Sequence, residues 1–367
     1  MGRTIGRGDH LKPSTFIGLW AALAISAHLG TANAATISPG DILATLDSAL
    51  GSVVAINPVT GNRTVVSDSV HGAGPQLPIQ QITVDSHGVI YAATGVLVPS
   101  SPGAILRIDP ITGDRTIISD VNHGTGPLLM SGVTDASSGI AVGSDGSIYT
   151  ADRQNGNLFR IDPLTGNRTP ISAGVQSIQY PINNSSGLRL GTHNDLLVAT
   201  SNAQSLVVDI DLATGTRTNI SGGLHGSGPI LTSLPGGITG DGLGNLVVGS
   251  GPGLPQILRV DVASGNRTVL SSSVGPPVGI GPAMGSVADV LLAPNGKILA
   301  TDYFGNVVFS IDPVTGNRTI LSGLGVGTGP SLNRPIAMVI YVPEPDTIVL
   351  SIGALGALIA LARKRFS

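Results

Sequence analysis

The strongest constraint on the fold is a nine-residue phrase that the chain repeats six times, about 50 residues apart. In one copy, Ile161–Thr169, it reads Ile-Asp-Pro-Leu-Thr-Gly-Asn-Arg-Thr. The aspartate and proline start a turn, the glycine lets the chain reverse, and Arg-Thr opens the next strand. The phrase is therefore a hairpin corner, and this period is typical of a propeller or a solenoid. The other copies are Ile56–Thr64, Ile108–Thr116, Ile210–Thr218, Val260–Thr268 and Ile311–Thr319.

A second repeated pattern, between the corners, predicts the remaining strands of each unit. In residues 139–152 an apolar strand, the turn Asp145-Gly146 and another apolar strand follow one another. Each repeat thus contains strands A, B, C and D, with the corner between C and D, which is the four-stranded antiparallel blade of a propeller. The composition agrees, because 52 Gly and 25 Pro suit many short turns and Glu344 is the only glutamate.

The two ends of the repeat region predict how the ring closes. The first repeat lacks strand A, whereas Pro335–Val342 has the pattern of strand A and no strand B after it. We expect Asp41–Leu46 to pair antiparallel with Ile336–Tyr341, since this leaves no open sheet edge. The predicted fold is all-β: a six-bladed β-propeller of four-stranded antiparallel blades over residues 35–342, closed by the C-terminal strand.

The N-terminal segment, residues 1–34, has the order of parts of a signal peptide. Basic residues precede the apolar run Phe16–Ala27, and the small-residue site Ala32-Asn33-Ala34 follows it. We expect cleavage between Ala34 and Ala35. The apolar run is short for a transmembrane anchor. The chain has no cysteine, so neither a disulfide framework nor a thiolate site supports or opposes export.

The C-terminal segment, residues 343–367, combines three ordered parts. Pro343-Glu344-Pro345 precedes the apolar run Thr347–Ala362, and Arg363-Lys364-Arg365 ends it. At about 1.5 Å per helical residue the run spans about 24 Å, slightly less than a hydrocarbon core of about 30 Å. This order resembles the PEP-CTERM sorting signal of Gram-negative bacteria.

That resemblance implies a cellular location and a set of partners. It implies export, transient retention in the membrane through the C-terminal helix, and processing near Pro343, Glu344 and Pro345 by exosortase-type machinery. It also implies association of the released protein with the cell surface or with extracellular polysaccharide. A nucleic-acid partner is not expected, because the net charge is −3 and the sequence has no basic stripe.

The repeat region resembles the bacterial six-bladed propellers grouped as NHL-like and gluconolactonase-like. The resemblance depends on the phrases Gly139–Asp152 and Leu158–Gly166, and it extends over about residues 40–342. The group contains hydrolases, lyases and binding proteins. Its lactonases use a metal-bound glutamate with Asn and Asp in the channel, whereas the single glutamate of this chain lies in the sorting tail.

Two kinds of loop are predicted on one face of the ring, the usual ligand face of propellers. The loops from strand D to the next strand A carry His71, His123 and His225 in the phrase His-Gly-x-Gly-Pro. Three of the loops from strand B to strand C start with aspartates, which are Asp47, Asp152 and Asp302. These side chains could ligate a metal, or the glycines could shape the crossover while the aspartates cap turns. We favour the structural interpretation, because a residue copied with the repeat usually serves the repeat.

Further candidates on this face suit a neutral ligand. The irregular loop of residues 173–186 offers Tyr180, Asn183 and Asn184, and Tyr303 follows Asp302. Their side chains hydrogen-bond without acid–base chemistry. On the opposite face, we expect each corner aspartate and arginine, such as Asp162 and Arg168, to form a turn cap and a surface ion pair.

These observations favour a non-catalytic binding or scaffold module at the cell surface or in the extracellular matrix. No catalytic residue, metal ligand or cofactor is assigned, although Ca²⁺ or another divalent ion would be compatible with the histidines and aspartates. The hydrolase motifs G-x-S-x-G and H-E-x-x-H do not occur. The alternative is a metal-dependent, lactonase-like hydrolase or lyase that uses those same side chains.

Overall fold

The computed structural model describes residues 37–95, 103–129, 137–152, 155–171, 179–191, 195–200, 204–231, 235–251 and 253–343. Within these ranges 24 strands form six separate four-stranded antiparallel sheets. The prediction of a six-bladed propeller is confirmed. The described residues begin at Ile37 and end at Pro343. The predicted signal-peptide cleavage site between Ala34 and Ala35 and most of the sorting tail therefore lie outside them. Among the described residues, no helix is long and apolar enough to cross a bilayer.

The strands are numbered along the chain, and each blade runs from strand A to strand D. Blade 1 contains Pro335–Ile340 (β24), Ile42–Leu46 (β1), Ser52–Ile56 (β2) and Arg63–Ser67 (β3). Blade 2 contains Ile79–Val84 (β4), Ile90–Thr94 (β5), Ile105–Ile108 (β6) and Arg115–Ser119 (β7). Blade 3 contains Ser137–Val142 (β8), Ile148–Asp152 (β9), Leu158–Ile161 (β10) and Arg168–Ile171 (β11).

The other three blades follow the same order. Blade 4 contains Ser185–Leu190 (β12), Asp195–Thr200 (β13), Leu206–Asp211 (β14) and Arg217–Gly222 (β15). Blade 5 contains Pro235–Gly240 (β16), Leu246–Ser250 (β17), Gln256–Val260 (β18) and Arg267–Ser272 (β19). Blade 6 contains Val287–Leu292 (β20), Ile298–Asp302 (β21), Val307–Ile311 (β22) and Arg318–Ser322 (β23).

The predicted ring closure is also confirmed. Strand β24 pairs antiparallel with β1, with Ile340 opposite Ile42 and Pro335 opposite Leu46. The last strand of the propeller therefore supplies strand A of the first blade. No edge of β1 remains unpaired, because β2 covers its other side.

The register of the strands defines two faces. The A strands of neighbouring blades contact one another around the axis, and the D strands lie at the rim. In blade 2, Thr94 at the end of strand B lies opposite Ile79, while Val84 lies opposite Ile90. All B–C loops therefore lie on one face, called the upper face. All A–B turns and C–D corners lie on the other, the lower face.

The hydrophobic core is divided into six clusters, one at each junction between neighbouring blades. The cluster between blades 6 and 1 contains Val54 and Met338 from one blade and Leu299 and Val308 from the other. Each sheet thus buries apolar side chains on both of its surfaces. Removing this apolar area from water stabilises the fold by about 25 cal/mol per Å². Blades stabilise each other, as in other repeat proteins.

Five of the six corner arginines are buried, Arg63 is partly buried, and the expected surface ion pair with the corner aspartate is wrong. Arg168 exposes only 5% of its surface. Its Nε donates to the carbonyl oxygen of Pro127 at 2.7 Å, and its Nη1 donates to Ser119 Oγ at 2.6 Å. Ser119 ends strand D of blade 2, and Pro127 lies in the crossover loop between blades 2 and 3. Asp162 instead caps its own turn, with Oδ1 accepting hydrogen bonds from the amides of Leu164 and Thr165.

The same pair of hydrogen bonds, from a corner arginine to a proline carbonyl oxygen and a serine hydroxyl group, occurs at other junctions, including the one that closes the ring. A guanidinium group taken out of water needs acceptors for its donors, and the end of the crossover loop presents carbonyl oxygens to it. Because Arg63 makes these bonds from blade 1 to the end of blade 6, the closing junction is built like the others. The equivalent pairs of acceptors are Pro330 and Ser322 for Arg63, Pro229 and Ser221 for Arg267, and Pro282 and Ser271 for Arg318.

Candidate ligand-binding face

The three candidate histidines lie at the rim, each at a different blade junction, and do not converge. His123 Nδ1 lies 2.7 Å from Asp120 Oδ1, and the equivalent distance from His71 to Asp68 is 2.9 Å. The carbonyl oxygen of His123 accepts a hydrogen bond from the Nη1 of Arg168 at 3.0 Å. Each histidine therefore belongs to a crossover loop that packs on the corner of the next blade.

Two of the candidate aspartates are fully buried turn caps. Asp152 accepts hydrogen bonds from the backbone and side-chain amides of Asn155, at 3.0 and 3.1 Å. Asp302 accepts from the amides of Gly285, Ser286 and Gly305, at 2.6, 2.9 and 2.9 Å. Because both carboxylates expose 1% or less of their surface, they serve the loops that hold them.

The described residues contain no group of three or more His, Asp or Glu side chains placed to hold a metal ion. The histidines lie at different blade junctions. The carboxylate of Asp152 binds its own loop, and that of Asp302 binds its own loop and the crossover loop before strand β20. The ligand set that the lactonase-like alternative requires is thus not assembled in this part of the chain.

Tyr180, Asn183 and Asn184 lie together at the junction of blades 3 and 4. The carbonyl oxygen of Tyr180 accepts a hydrogen bond from Arg217 Nη1 at 3.0 Å, so this loop supplies one acceptor for the buried corner arginine. The Tyr180 ring packs against the core cluster of this junction, and its hydroxyl group lies 3.0 Å from Gln179 Nε2. The side chain of Asn184 is exposed. This loop is partly structural.

Tyr303 belongs to a compact polar and aromatic group on the upper face, where blades 6 and 1 meet. Its hydroxyl group donates a hydrogen bond to Asp47 Oδ2, at the start of the B–C loop of blade 1. Arg334, in the loop before β24, lies 3.4 Å from the same oxygen and places its guanidinium carbon 5.5 Å from the centre of the Tyr303 ring. Phe304 contacts Tyr303 edge to face, with ring centres 5.2 Å apart. These four residues are called the closure site.

The backbone of the closure site is held in place before any ligand binds. Arg334 has a φ of 51° and Asn306 has a φ of 54°, which non-glycine residues adopt at a cost of about 1–2 kcal/mol. The Asn306 side chain accepts a hydrogen bond from the Arg334 amide at 2.8 Å, and the Arg334 carbonyl accepts one from the Asp47 amide at 3.0 Å. Strained residues fixed in this way are typical of functional loops.

The closure site offers donors, acceptors and an exposed ring. Burial and the hydrogen bond to Asp47 raise the pKa of Tyr303, so its phenol remains protonated at neutral pH. Among the described residues, none hydrogen-bonds Asp47 Oδ1. Phe304 exposes 60% of its surface, and the Arg334 side chain exposes 55%. A carboxylate, a guanidinium group and an aromatic face can bind a polyhydroxylated ligand by hydrogen bonds and stacking.

Sequence analysis identified Tyr303 but missed Arg334, and it named Asp47 only as the start of a loop and a candidate metal ligand. The contact between Asp47 and Arg334 has no repeat-based signal, because the two come from the opposite ends of the propeller. They meet only after the last strand joins the first blade. Their one available signal was the predicted closure itself, which places the segment before Pro335 beside the B–C loop of blade 1.

Sequence analysis also missed an ion pair across the axis of the ring. Arg189 on strand β12 of blade 4 donates from Nη2 to Asp289 Oδ2 at 2.8 Å and to the carbonyl oxygen of Met338 at 2.9 Å. Asp289 belongs to strand A of blade 6 and also accepts from the Met338 amide at 2.7 Å. Burial raises the pKa of Asp289, and the Arg189 charge partly opposes that effect. The pair links blades 4, 6 and 1.

The lower face of blade 3 carries an open groove of about 480 Å³. Arg160 crosses it and pairs with Asp145 at 2.8 Å, with both side chains about half exposed. An exposed pair of this kind contributes about 0–1 kcal/mol. The groove is lined by Asp145, Ser147, Arg160, Asp162, Pro163, Leu164, Asn167 and Thr169. Its charged groups are thus paired or used as turn caps.

Comparison with known proteins supports the architecture alone. No family model matches this chain, and no curated protein matches it. The chain is similar in structure to a chain of "Crystal structure of Nidogen/Laminin Complex", with a TM-score of 0.59 and 14% sequence identity. The similarity covers 83% of this chain and 99% of that one. At this identity the comparison shows a shared fold, and the sorting-signal and NHL-like resemblances remain predictions.

Proposed function

We propose that this protein is an exported six-bladed propeller that binds extracellular polysaccharide as a non-catalytic surface or matrix module. The observation that carries the proposal is the closure site, where Phe304 presents an exposed ring beside Asp47, Tyr303 and Arg334. Sugars combine apolar C–H faces with many hydroxyl groups. The site matches that chemistry with one aromatic surface and a charged donor and acceptor.

Two further observations support a binding role. The combination of residues at the closure site is not repeated in the sequence of the other blades, in contrast to the repeated histidines and corner arginines. Asp47 is equivalent to Asp152 and Asp302, but those two cap turns, whereas Asp47 accepts hydrogen bonds from Tyr303 and Arg334. The structural neighbour comes from a nidogen/laminin complex, so this fold occurs in a protein that assembles with a partner. The predicted sorting tail would place the protein at the cell surface, where it can contact extracellular polysaccharide.

The test is a binding assay of the exported protein with polysaccharide isolated from the producing cells. We expect Phe304→Ala to weaken binding by roughly tenfold, since an aromatic contact contributes about 0.5–1.5 kcal/mol beyond its buried area. Tyr303→Phe keeps the ring and removes the hydroxyl group that orients Asp47, so a smaller loss is expected. Leu164→Ala, which shortens an exposed side chain on the lower face, is the control. Equal binding by all four proteins would contradict the proposal.

A hydrolysis screen tests the non-catalytic part of the proposal. Lactones and glycosides are incubated with the protein and with Ca²⁺, Mg²⁺ or Zn²⁺, beside a His123→Ala variant. We expect no turnover, because the histidines lie at separate junctions and a polarising metal needs several ligands in one place. Metal-dependent turnover that His123→Ala abolishes would establish the lactonase-like alternative.

Export and processing are tested by mass spectrometry of the surface-associated protein. We expect it to begin at Ala35 and to end close to Pro343, Glu344 and Pro345, as the two terminal signals predict. An intact Ser367 in surface material would contradict C-terminal processing. A retained Met1 would contradict cleavage of the signal peptide.

A further inference from the structure

The chain leaves the propeller on the lower face, next to blade 2. Tyr341 and Pro343 follow β24 and lie against the A–B turn of blade 2, where a Cβ at Gly88 would be 2.8 Å from the Tyr341 hydroxyl oxygen and 3.0 Å from Pro343 Cβ. The amide of Tyr341 also donates a hydrogen bond to the carbonyl oxygen of Asp41, at 2.8 Å. The exit point is thereby fixed at the boundary between blades 1 and 2.

The apolar run of the tail begins very close to this exit. Thr347 follows Pro343 by four residue steps, and a fully extended chain covers at most about 3.6 Å per step, or about 14 Å in total. When Thr347–Ala362 is in a bilayer, as the predicted sorting tail implies, the lower face near blades 1 and 2 is therefore held within this distance of the membrane surface.

The corners nearest the exit carry exposed aliphatic side chains. They occupy the variable position between proline and threonine in the repeated phrase. Blades 6, 1, 2 and 3, which flank the exit, have Val314, Val59, Ile111 and Leu164 there, with exposed fractions of 83, 88, 66 and 95%. Blades 4 and 5, on the far side, have Ala213 and Ala263.

Other exposed aliphatic residues do not follow this division. Leu243, in the A–B turn of blade 5, is 76% exposed on the far part of the lower face. Val70 and Leu224, in crossover loops, are 81 and 106% exposed and lie on opposite sides of the ring. Val262, in the corner of blade 5, is also 38% exposed, so only the position just before the corner threonine or serine distinguishes the side of the ring that bears the tail.

The charge of the corners selects the kind of membrane surface. Charges of both signs lie at these corners: Arg107 precedes Asp109 by two residues, Arg160 precedes Asp162 by two, and Lys297 pairs with Asp312 at 2.6 Å. Corners without an excess of positive charge do not use the electrostatic attraction that binds basic segments to anionic lipids. Contact through aliphatic tips therefore suits a zwitterionic surface.

We propose that the lower face of blades 6, 1, 2 and 3 rests on a zwitterionic bilayer while the tail is inserted. Val59, Ile111, Leu164 and Val314 then lie in the interfacial layer, where an apolar side chain gains by leaving water. The closure site, on the upper face, points away from the membrane toward external polysaccharide. This orientation rests on the proposed function, whose predicted sorting tail would be in the membrane until it is processed.

The absence of cysteine makes the test direct, because any introduced cysteine is the sole labelling site. The exported chain with its tail is placed in phosphatidylcholine and phosphatidylethanolamine vesicles, and a polarity-sensitive fluorophore reports each position. Leu164→Cys and Val59→Cys probe the near corners. Leu243→Cys probes the far part of the lower face, Ala49→Cys the upper face, and Ala354→Cys the tail itself. Lipid-borne nitroxides quench any label that enters the interface.

We expect blue-shifted, quenched emission from the labels at residues 164, 59 and 354, with weaker quenching at 243 and none at 49. A quenched tail label with residue 164 as exposed as residue 49 would overturn the orientation while leaving membrane retention intact. A blue shift at 164 that lipid nitroxides do not quench would mean that a protein covers this face, which also overturns it. An unquenched label at 354 would overturn both the retention and the orientation.

Discussion

Gly124 and Gly146 have the same φ, 77°, in very different surroundings. A Cβ at Gly124 would lie 1.9 Å from the carbonyl oxygen of Gly166 in the next blade, whereas a Cβ at Gly146 would meet nothing within 4 Å. We expect Gly146→Ala to cost about 1 kcal/mol through backbone strain alone, and Gly124→Ala to cost about 1–3 kcal/mol more through the clash. Urea unfolding measures both. Equal losses would mean that the crossover loop does not pack on the corner as described.

Asp209 should make stability depend on pH. Burial and the neighbouring Asp195 raise its pKa from 3.8 to about 6. In this window the folded chain binds more protons than the unfolded chain, so stability falls as the pH rises from about 4 through 6. We expect Asp209→Asn to stabilise the protein at pH 7 by about 1 kcal/mol, after a discount for solvent screening. Unfolding at pH 4 and pH 7 measures the effect.

Asp261, the corner aspartate of blade 5, provides the control for this pH dependence. Hydrogen bonds from Ser264 lower its pKa, so the stability it contributes is present above its ordinary pKa and is lost as the pH falls. Asp261→Asn is therefore expected to change the pH dependence in the opposite direction. If both variants behave alike, the raised pKa of Asp209 is not the cause.

At the scale of elements, the A strands approach closely around the axis because small residues meet there. A Cβ at Gly187 would lie 2.8 Å from the backbone of Gly237, and a Cβ at Gly237 would lie 1.9 Å from Asp289 Oδ1. This packing removes water from the Arg189–Asp289 pair, whose side chains are 19 and 7% exposed. The ion pair is thus a consequence of how strands from different blades meet.

Replacing one member of this ion pair should lower the free energy of unfolding more than replacing both members. Arg189→Met leaves a buried carboxylate without its partner, and Asp289→Asn leaves a buried guanidinium group, so each is expected to cost about 3 kcal/mol. The double variant should be more stable than either single one, because it leaves neither a buried carboxylate nor a buried guanidinium group without its partner. Denaturant unfolding of all four proteins measures the coupling. Additive losses would contradict a direct interaction.

At the scale of the whole molecule, closure is the feature on which the rest depends. Removing residues 335–367 deletes β24, exposes the edge of β1 and opens the core cluster that contains Met338. We expect this truncation to lose cooperative unfolding, since an open ring exposes both an apolar surface and an unpaired edge. Removing only residues 343–367 should leave the thermal midpoint of the propeller unchanged. Equal effects of the two truncations would contradict closure by β24.

The sequence alone determined the class of fold, the number of blades and which strands pair to close the ring. Those features are local or periodic: a corner phrase is recognised from its own residues, and six copies with one strand missing and one left over permit only one complete ring. Asp162 illustrates the limit of such reasoning. Its turn-cap role, which involves residues two and three positions away, was predicted correctly, and its pairing with Arg168 was not.

Tertiary structure alone decided what the arginines and the site residues contact. Arg168 bonds to the preceding blade, Arg189 reaches across the axis, and Arg334 meets Asp47 from the other end of the propeller. These partners are distant in sequence and come together only through the ring. A long cationic side chain hydrogen-bonds to the acceptors that the packing places within its reach. Burying its charge without such acceptors costs several kcal/mol.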